Sequence, residues 1–285
     1  MASKTQPGRL QVGVVGSGRV GPVLARALAG AGHSIVGITA SSDEARERVA
    51  AILPGVPVLP LDEVVRASEL VLFAVPGEQL PGLVQGLSAL GVWQPGQIVA
   101  HTAPERGFSV FAPAAAQGVI PLAMHPAMVF TGTSIDLGRL AESTIAVSAP
   151  APVLPIAQAL AVEMGGEPVV VADADRASYT DALAAARDLS ASVARQAVDK
   201  LENLGLTEPA RLVASTVYAA IAEALRVAAP DIWQPDFAGP GSDSDFGSVF
   251  DSGSDSAPGS TFDSGSGSDS SFDSTSGSAS ESDPA

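Results

Sequence analysis

The first forty residues alternate between two hydrophobic patterns. Leu10–Val15 is a short continuous apolar run, the pattern of a strand buried on both faces, and Val20, Leu24, Ala27 and Leu28 follow at helical spacing. The same alternation continues downstream. Ser34–Thr39 reads as a strand, and Asp43 as the N-cap of a helix through Ile52. Val56–Leu59 reads as a short strand, Leu61–Ala67 as a short helix, and Leu70–Val75 as the most apolar strand, ended by Pro76. A helix over Gln79–Leu90, a strand over Gln97–His101, a helix near Phe108–Gln117 and strands over Val119–Ala123 and Thr144–Val147 complete the region. Strands alternating with helices predict a Rossmann-like doubly wound parallel sheet over residues 10–150, after a disordered N-terminus at 1–9.

Past Pro150 the character changes. Ala151–Met164 and Pro168–Val171 supply one more helix and strand, and then a long helix begins at Asp173. In it Tyr179, Ala182, Ala186, Leu189, Val193, Ala197, Leu201 and Leu204 recur every three or four residues, and Gly205 stops it. A further helix starts at Thr207 and Pro209 and ends at Pro230. Residues 151–234 are therefore expected to form a short all-α domain, whose broad apolar stripe packs on the first domain or on a second subunit. Residues 235–285 are Ser, Asp and Gly with scattered Phe, and Phe-Asp-Ser recurs at Phe250, Phe262 and Phe272. Such a composition cannot bury enough apolar area to offset the entropy of ordering, so it reads as a disordered acidic tail.

That tail changes the meaning of the net charge of −16. Ten of the 31 acidic residues lie from Asp236 onward, where no Lys or Arg stands, so residues 1–235 carry only −6, with 21 acids against 15 bases. No basic stripe invites a phosphate backbone, and nucleic acid is not an expected partner. No apolar run has the length of a membrane span, and the polar start does not resemble a secretory signal. The expectation is a cytoplasmic protein that does not enter a membrane. Cysteine is absent and no metal-ligand spacing occurs, so no metal site is expected.

The chemistry-bearing motif is Gly16-Ser17-Gly18-Arg19-Val20-Gly21, a G-x-G-x-x-G directly after a strand and opening a helix. Gly16 permits the tight turn, Gly18 lets backbone approach a pyrophosphate, and Gly21 lets helix and strand pack closely. The acid that would select NAD is missing at the end of the second strand, near Ala40. Ser41 and Ser42, with Arg46 or Arg48 nearby, suit the 2′-phosphate of NADP instead. Ligands in such sheets bind at the carboxyl ends of strands. There stand Ala74, Val75 and Pro76, which would line the cofactor's far side, then His101-Thr102, then His125. Either histidine could donate a proton to a carbonyl oxygen or polarise it, and either could instead bond backbone in a turn. His33 precedes its strand and reads as structural.

Val12–Gly21, Leu72–Pro76, His101-Thr102 and His125-Pro126-Ala127-Met128-Val129-Phe130-Thr131-Gly132 together resemble a group of bacterial Rossmann-like proteins. These carry a C-terminal helical domain of unknown function and are similar to the 6-phosphogluconate dehydrogenase and pyrroline-5-carboxylate reductase superfamily. The resemblance covers about Leu10–Leu204. It implies an NAD(P)-linked oxidoreductase, a small-molecule substrate between the two domains, and a homodimer through the helical domain. Some members act as an alternative ketopantoate reductase, which makes ketopantoate the lead substrate. The chain departs from the group at Ala103 and Pro104, where Ser-Gly is usual, and at Thr180, Arg187 and Asp188, where His and a Ser-Asn pair are usual. Two readings result. One is an NADP-dependent reductase using His125 or His101, with Arg187 pairing the substrate carboxylate. The alternative is a non-catalytic NADP(H)-binding sensor or interaction protein with an eroded substrate site.

Overall fold

The computed structural model describes residues 9–229; the expected N-terminal segment before Arg9 and the acidic tail fall outside the described residues. Seven strands form one sheet in the order β2-β1-β3-β4-β5-β6-β7. They are β1 (Gln11–Val15), β2 (Ser34–Ile38), β3 (Leu70–Phe73), β4 (Ile98–His101), β5 (Ile120–Pro126), β6 (Thr144–Ser148) and β7 (Glu167–Val170). The order reverses at β1, so the crevice between β1 and β3 is the switch point at which such sheets take ligands.

Alternation along each buried strand feeds two cores. Leu70 and Leu72 of β3 pack on the side of α1 (Gly21–Gly30), α2 (Asp43–Ile52) and α7 (Leu154–Glu163). Val71 and Phe73 pack on the side of α3 (Leu61–Arg66), α4 (Leu80–Ala89) and α5 (Ala112–Ala115). Phe73 meets Phe111 with ring centroids 5.6 Å apart and Trp93 at 6.3 Å. These tilted aromatic contacts help fix the second core.

Four expectations are corrected. The sheet is not wholly parallel: β5 and β6 pair antiparallel. The connecting helix α6 (Ile135–Ala141), absent from the sequence reading, spans only about 10 Å. That is too short to carry the chain back along β5, so β6 re-enters from the same end. The sheet also continues past residue 150, because α7 packs on β5, β6 and β7 and its Ala157, Leu160 and Ala161 enter the first core. Val56–Leu59 forms no strand, only a bridge between Ile38 and Val58. Finally, Ser42, not Asp43, caps α2: its Oγ accepts from the amide of Ala45 at 3.2 Å.

Arg9 belongs to the fold rather than to a loose terminus, pairing with Glu163 at 3.2 Å. His33 is structural as expected. Its Nδ1 accepts from the Leu10 amide at 3.1 Å and its Nε2 lies 2.9 Å from Glu163, which ties the start of β1 to α7.

Two long helices follow, α8 (Arg176–Glu202) and α9 (Pro209–Ala228). Contacts divide the chain into one unit through Ser215 and a second from Thr216. The only residue of α8 that is buried is Arg176, and its Leu189 and Val193 are exposed. Among the described residues no helix is long and apolar enough to cross a membrane.

Candidate functional site

The glycine turn follows β1 and leads into α1. Gly16 has φ +107°, a left-handed conformation that other residues rarely adopt, and a Cβ there would collide with the carbonyl of Ala74. A Cβ on Gly21 would strike the carbonyl oxygen of Gly16. At Gly18 the space a Cβ would take is open to 4 Å. The turn is thus packed tight from behind by Gly16 and Gly21 and kept clear in front by Gly18. Val20, at the N-cap of α1, offers no side-chain cap, which leaves the first-turn amides and the positive end of the helix dipole for an anion. A dinucleotide pyrophosphate fits this cradle.

The turn is held from the side by two bonds. The amide of Gly16 donates to Oγ1 of Thr39 at 2.9 Å, and Nη1 of Arg48 donates to the carbonyl of Ser17 at 3.0 Å. Of the two arginines that the sequence offered, Arg48 is therefore the one beside the turn. Ser42 spends an acceptor on its cap, and Ser41 precedes it in the exposed approach to α2.

A cleft of about 380 Å³ opens beside the turn at the carboxyl ends of β3, β4 and β5. Arg19 and Val20 of the turn line it, as do Ala74, Val75 and Pro76 after β3, Thr102 after β4, and His125 on β5. Arg187, three full turns into α8, also lines it. An adjoining cavity of about 240 Å³ shares His125 and Arg187 and is otherwise walled mainly by Pro104, Ala127, Met128, Val129, Leu183 and Ala184. Thr180, Leu183, Ala184 and Arg187 recur at helical spacing, so one face of α8 supplies that wall. Among the described residues neither cavity has an acidic lining residue, and Arg187 lines both.

The two candidate histidines separate. His101 is 1% exposed and does not line the cleft. Its ring lies 5.5 Å from that of Phe111, and burial holds its pKa down to about 4. His125 does line it, with a pKa also near 4, lowered first by burial and then by the charge of Arg176. Its imidazole is therefore neutral at pH 7. Its Nδ1 lies 2.9 Å from the hydroxyl of Tyr179.

Two residues of this site were not candidates in the sequence. Arg176, 1% exposed, begins α8 and reaches under the sheet's end: Nε donates to Ser148 Oγ at 2.8 Å, and Nη2 to the carbonyls of Ala123 and Ala146, each at 3.1 Å. Tyr179, one turn later, has its ring 5.9 Å from that guanidinium. Charge at a helix start ordinarily reads as surface, and Tyr179 reads as part of an apolar stripe. The one signal was their i, i+3 spacing at the start of the long helix.

The His125–Gly132 segment wraps back onto the turn. Asp136, fully buried, accepts from the amides of Thr131 at 2.9 Å and Gly132 at 2.7 Å. Gly132 has φ +82°, and a Cβ there would lie 3.3 Å from the Cα of Arg19. The segment is thereby pressed against the glycine turn.

The chain matches the model of a Rossmann-like domain over residues 1–126 and that of a domain of unknown function, DUF2520, over residues 143–240. No curated protein matches it. Among solved structures it is similar to a Bacteroides fragilis protein assigned as an NADP oxidoreductase, at 17% identity and TM-score 0.63, covering 76% of this chain and 81% of that one. A Streptomyces aurantiacus imine reductase is similar at 17% identity and TM-score 0.59, covering 77% and 78%. A Plasmodium falciparum pyrroline carboxylate reductase with NADP bound is similar at 12% identity and TM-score 0.54, covering 79% and 80%. At these identities the likeness is one of fold.

Proposed function

For a chain that joins a Rossmann-like domain to a DUF2520 domain, we propose an NADP-dependent oxidoreductase that reduces a small 2-oxo acid, with ketopantoate the lead candidate. The observation that carries this reading is the single cleft in which the phosphate turn (Arg19, Val20), the strand ends (Ala74–Pro76, Thr102) and two polar groups, His125 and Arg187, converge.

Gly16, Ser17, Gly18 and Gly21 hold the pyrophosphate, and Arg19 and Val20 carry the turn into the cleft. Ser41 and Ser42, with Arg48, would hold the 2′-phosphate, and Ala74, Val75, Pro76 and Thr102 would hold the nicotinamide end. NADPH would supply a hydride there. His125, neutral, donates a hydrogen bond to the carbonyl oxygen that gains negative charge as the hydride arrives, and the resulting alkoxide takes its proton from water. Arg187 pairs the substrate carboxylate, and the apolar wall from Met128 to Leu183 takes the branched carbon chain. His101 keeps β4 in place instead of reacting. The exposed Leu189 and Val193 on α8 suit a second copy of the chain, giving a homodimer.

One observation favours a second reading. Nε of Arg187 donates to its neighbour Asp188 at 2.8 Å, so the cation meant for the carboxylate has a partner already. In that reading the protein binds NADP(H) as a sensor or interaction module and turns nothing over. Titrating NADPH and then following its oxidation with ketopantoate decides between them. Ketopantoate-dependent oxidation supports the reductase; binding without oxidation across a panel of oxo acids supports the sensor.

A further inference from the structure

His125 lines both cavities, yet one of its two ring nitrogens is already engaged. Nδ1 lies 2.9 Å from the Tyr179 hydroxyl, while Nε2 has no partner among the described residues. Which nitrogen carries the proton decides what the cleft can bind. A phenol is a much stronger acid than a neutral imidazole, and an imidazole nitrogen a much stronger base than a phenol oxygen. The stable pairing is therefore O–H donating to Nδ1, which leaves the proton of the neutral ring on Nε2. Burial raises the Tyr179 pKa and keeps its hydroxyl protonated to donate, and Arg176, whose guanidinium lies 5.9 Å from the Tyr179 ring centroid, opposes protonation of His125 by its positive charge.

We propose that Tyr179 is a positioning residue that fixes His125 as an Nε2–H donor, so that the cleft takes an anionic ligand bearing a hydrogen-bond acceptor, a carbonyl compound rather than a cationic iminium. The substrate half of this statement rests on the reductase reading; the tautomer half does not. Charge agrees with it. Among the described residues Arg19 and Arg187 line the cleft and no acidic side chain does, so a carboxylate gains and a cation loses there. Geometry agrees as well. Tyr179 and Arg176 sit one turn apart at the start of α8, and Arg176 is bonded to the carbonyls of Ala123 on β5 and Ala146 on β6. The hydroxyl is thus referenced to the same strand that carries His125. An iminium nitrogen has no lone pair to accept from Nε2–H, whereas a carbonyl oxygen has two.

The test reads the tautomer directly. In the full chain labelled with nitrogen-15, long-range proton–nitrogen correlation resolves the three histidines, each identified by its His→Gln variant. At pH 7 His125 is expected to show a protonated Nε2 and a bare Nδ1. Tyr179→Phe, which keeps the ring over Arg176 and removes one oxygen, is expected to leave a mixture of both tautomers. A wild-type Nδ1–H form, an imidazolium at pH 7, or no change in Tyr179→Phe overturns the proposal. The wild-type spectrum stands even where the variant folds poorly. A second arm compares ketopantoate with N-methyl-1-pyrrolinium as NADPH oxidants. Preference for the oxo acid, with kcat lowered about tenfold and KM unmoved in Tyr179→Phe, supports it; preference for the iminium overturns it. The expected tautomer with no turnover of either compound supports the arrangement at Tyr179 and counts against the reductase reading alone.

Discussion

Nε2 of His101 donates to the carbonyl oxygen of Gly107 at 3.1 Å, because a carbonyl can only accept, and the bond pins the loop that follows β4. The ring is buried neutral, with a pKa near 4. A folded-state pKa below the unfolded value of 6.5 means that the unfolded chain takes up the proton first as pH falls. Stability is complete above pH 6.5 and is lost between 6.5 and about 4, by roughly 3 kcal/mol for this group. Urea unfolding at pH 7, 6 and 5 should show the decline, and His101→Gln should flatten part of it. A flat profile in the wild type contradicts the assignment.

Gly18 and Gly21 should respond differently to the same substitution. Gly18→Ala meets nothing in the protein, so its melting temperature should hold while NADPH affinity falls at least about tenfold. Gly21→Ala drives a methyl into the Gly16 carbonyl and should lower the melting temperature as well. Calorimetry alongside an NADPH titration separates the two. Equal binding by Gly18→Ala and wild type argues that no pyrophosphate sits there.

The end of β2 should prefer the phosphorylated cofactor. NADPH is expected to bind at least about tenfold more tightly than NADH, and Arg48→Met to erase most of that margin, since it removes a charge beside Ser17. Tighter binding of NADH in the wild type refutes the preference. Ser42→Ala should cost about 1 kcal/mol of stability through the lost cap, whichever cofactor binds.

Arg187→Gln tests the carboxylate pocket. Its side chain lines both cavities, so KM for ketopantoate should rise about tenfold or more while the NADPH dissociation constant stays put. An unchanged KM means that the pairing with Asp188 at 2.8 Å keeps the cation from the ligand.

The exposed face of α8 gives a hydrodynamic prediction. Leu189 is 68% exposed and Val193 60%, one turn apart. The double variant Leu189→Glu, Val193→Glu should sediment as a monomer, and the wild type as a dimer. A monomeric wild type at micromolar concentration removes the dimer from the reading.

Local signals carried the glycine turn and the first strands into view. The glycine spacing, the apolar run at Leu70–Phe73 and the break at Pro76 depend on neighbouring residues, and the structure keeps them where the pattern puts them. What escaped depends on distant partners. Arg176 is bonded to Ser148 and to carbonyls of β5 and β6, and a lone arginine in a sequence carries no sign of that destination. The antiparallel β6 escaped because a β–α–β alternation looks alike whether or not the helix is long enough to cross the sheet. At the start of α2, Ser42 and Asp43 are both good caps, and composition does not choose between neighbours. His101 and His125 stand alike at strand ends, and only packing separates a buried brace from a group facing a cavity.

The connection from β7 to α8 is fastened at both ends. The amide of Val171 bonds the Val147 carbonyl, the carboxylate of Asp173 holds the Phe108 amide at 2.6 Å, and Arg176 is sunk among three oxygens. Among chains of this architecture, insertions and deletions should therefore avoid residues 171–176, because adding a residue would unseat the arginine. They should gather instead around Gly205, whose turn is exposed and, among the described residues, bonded only to its own helix. Length variation along the chain thus becomes a readout of where the helical half is bolted to the sheet.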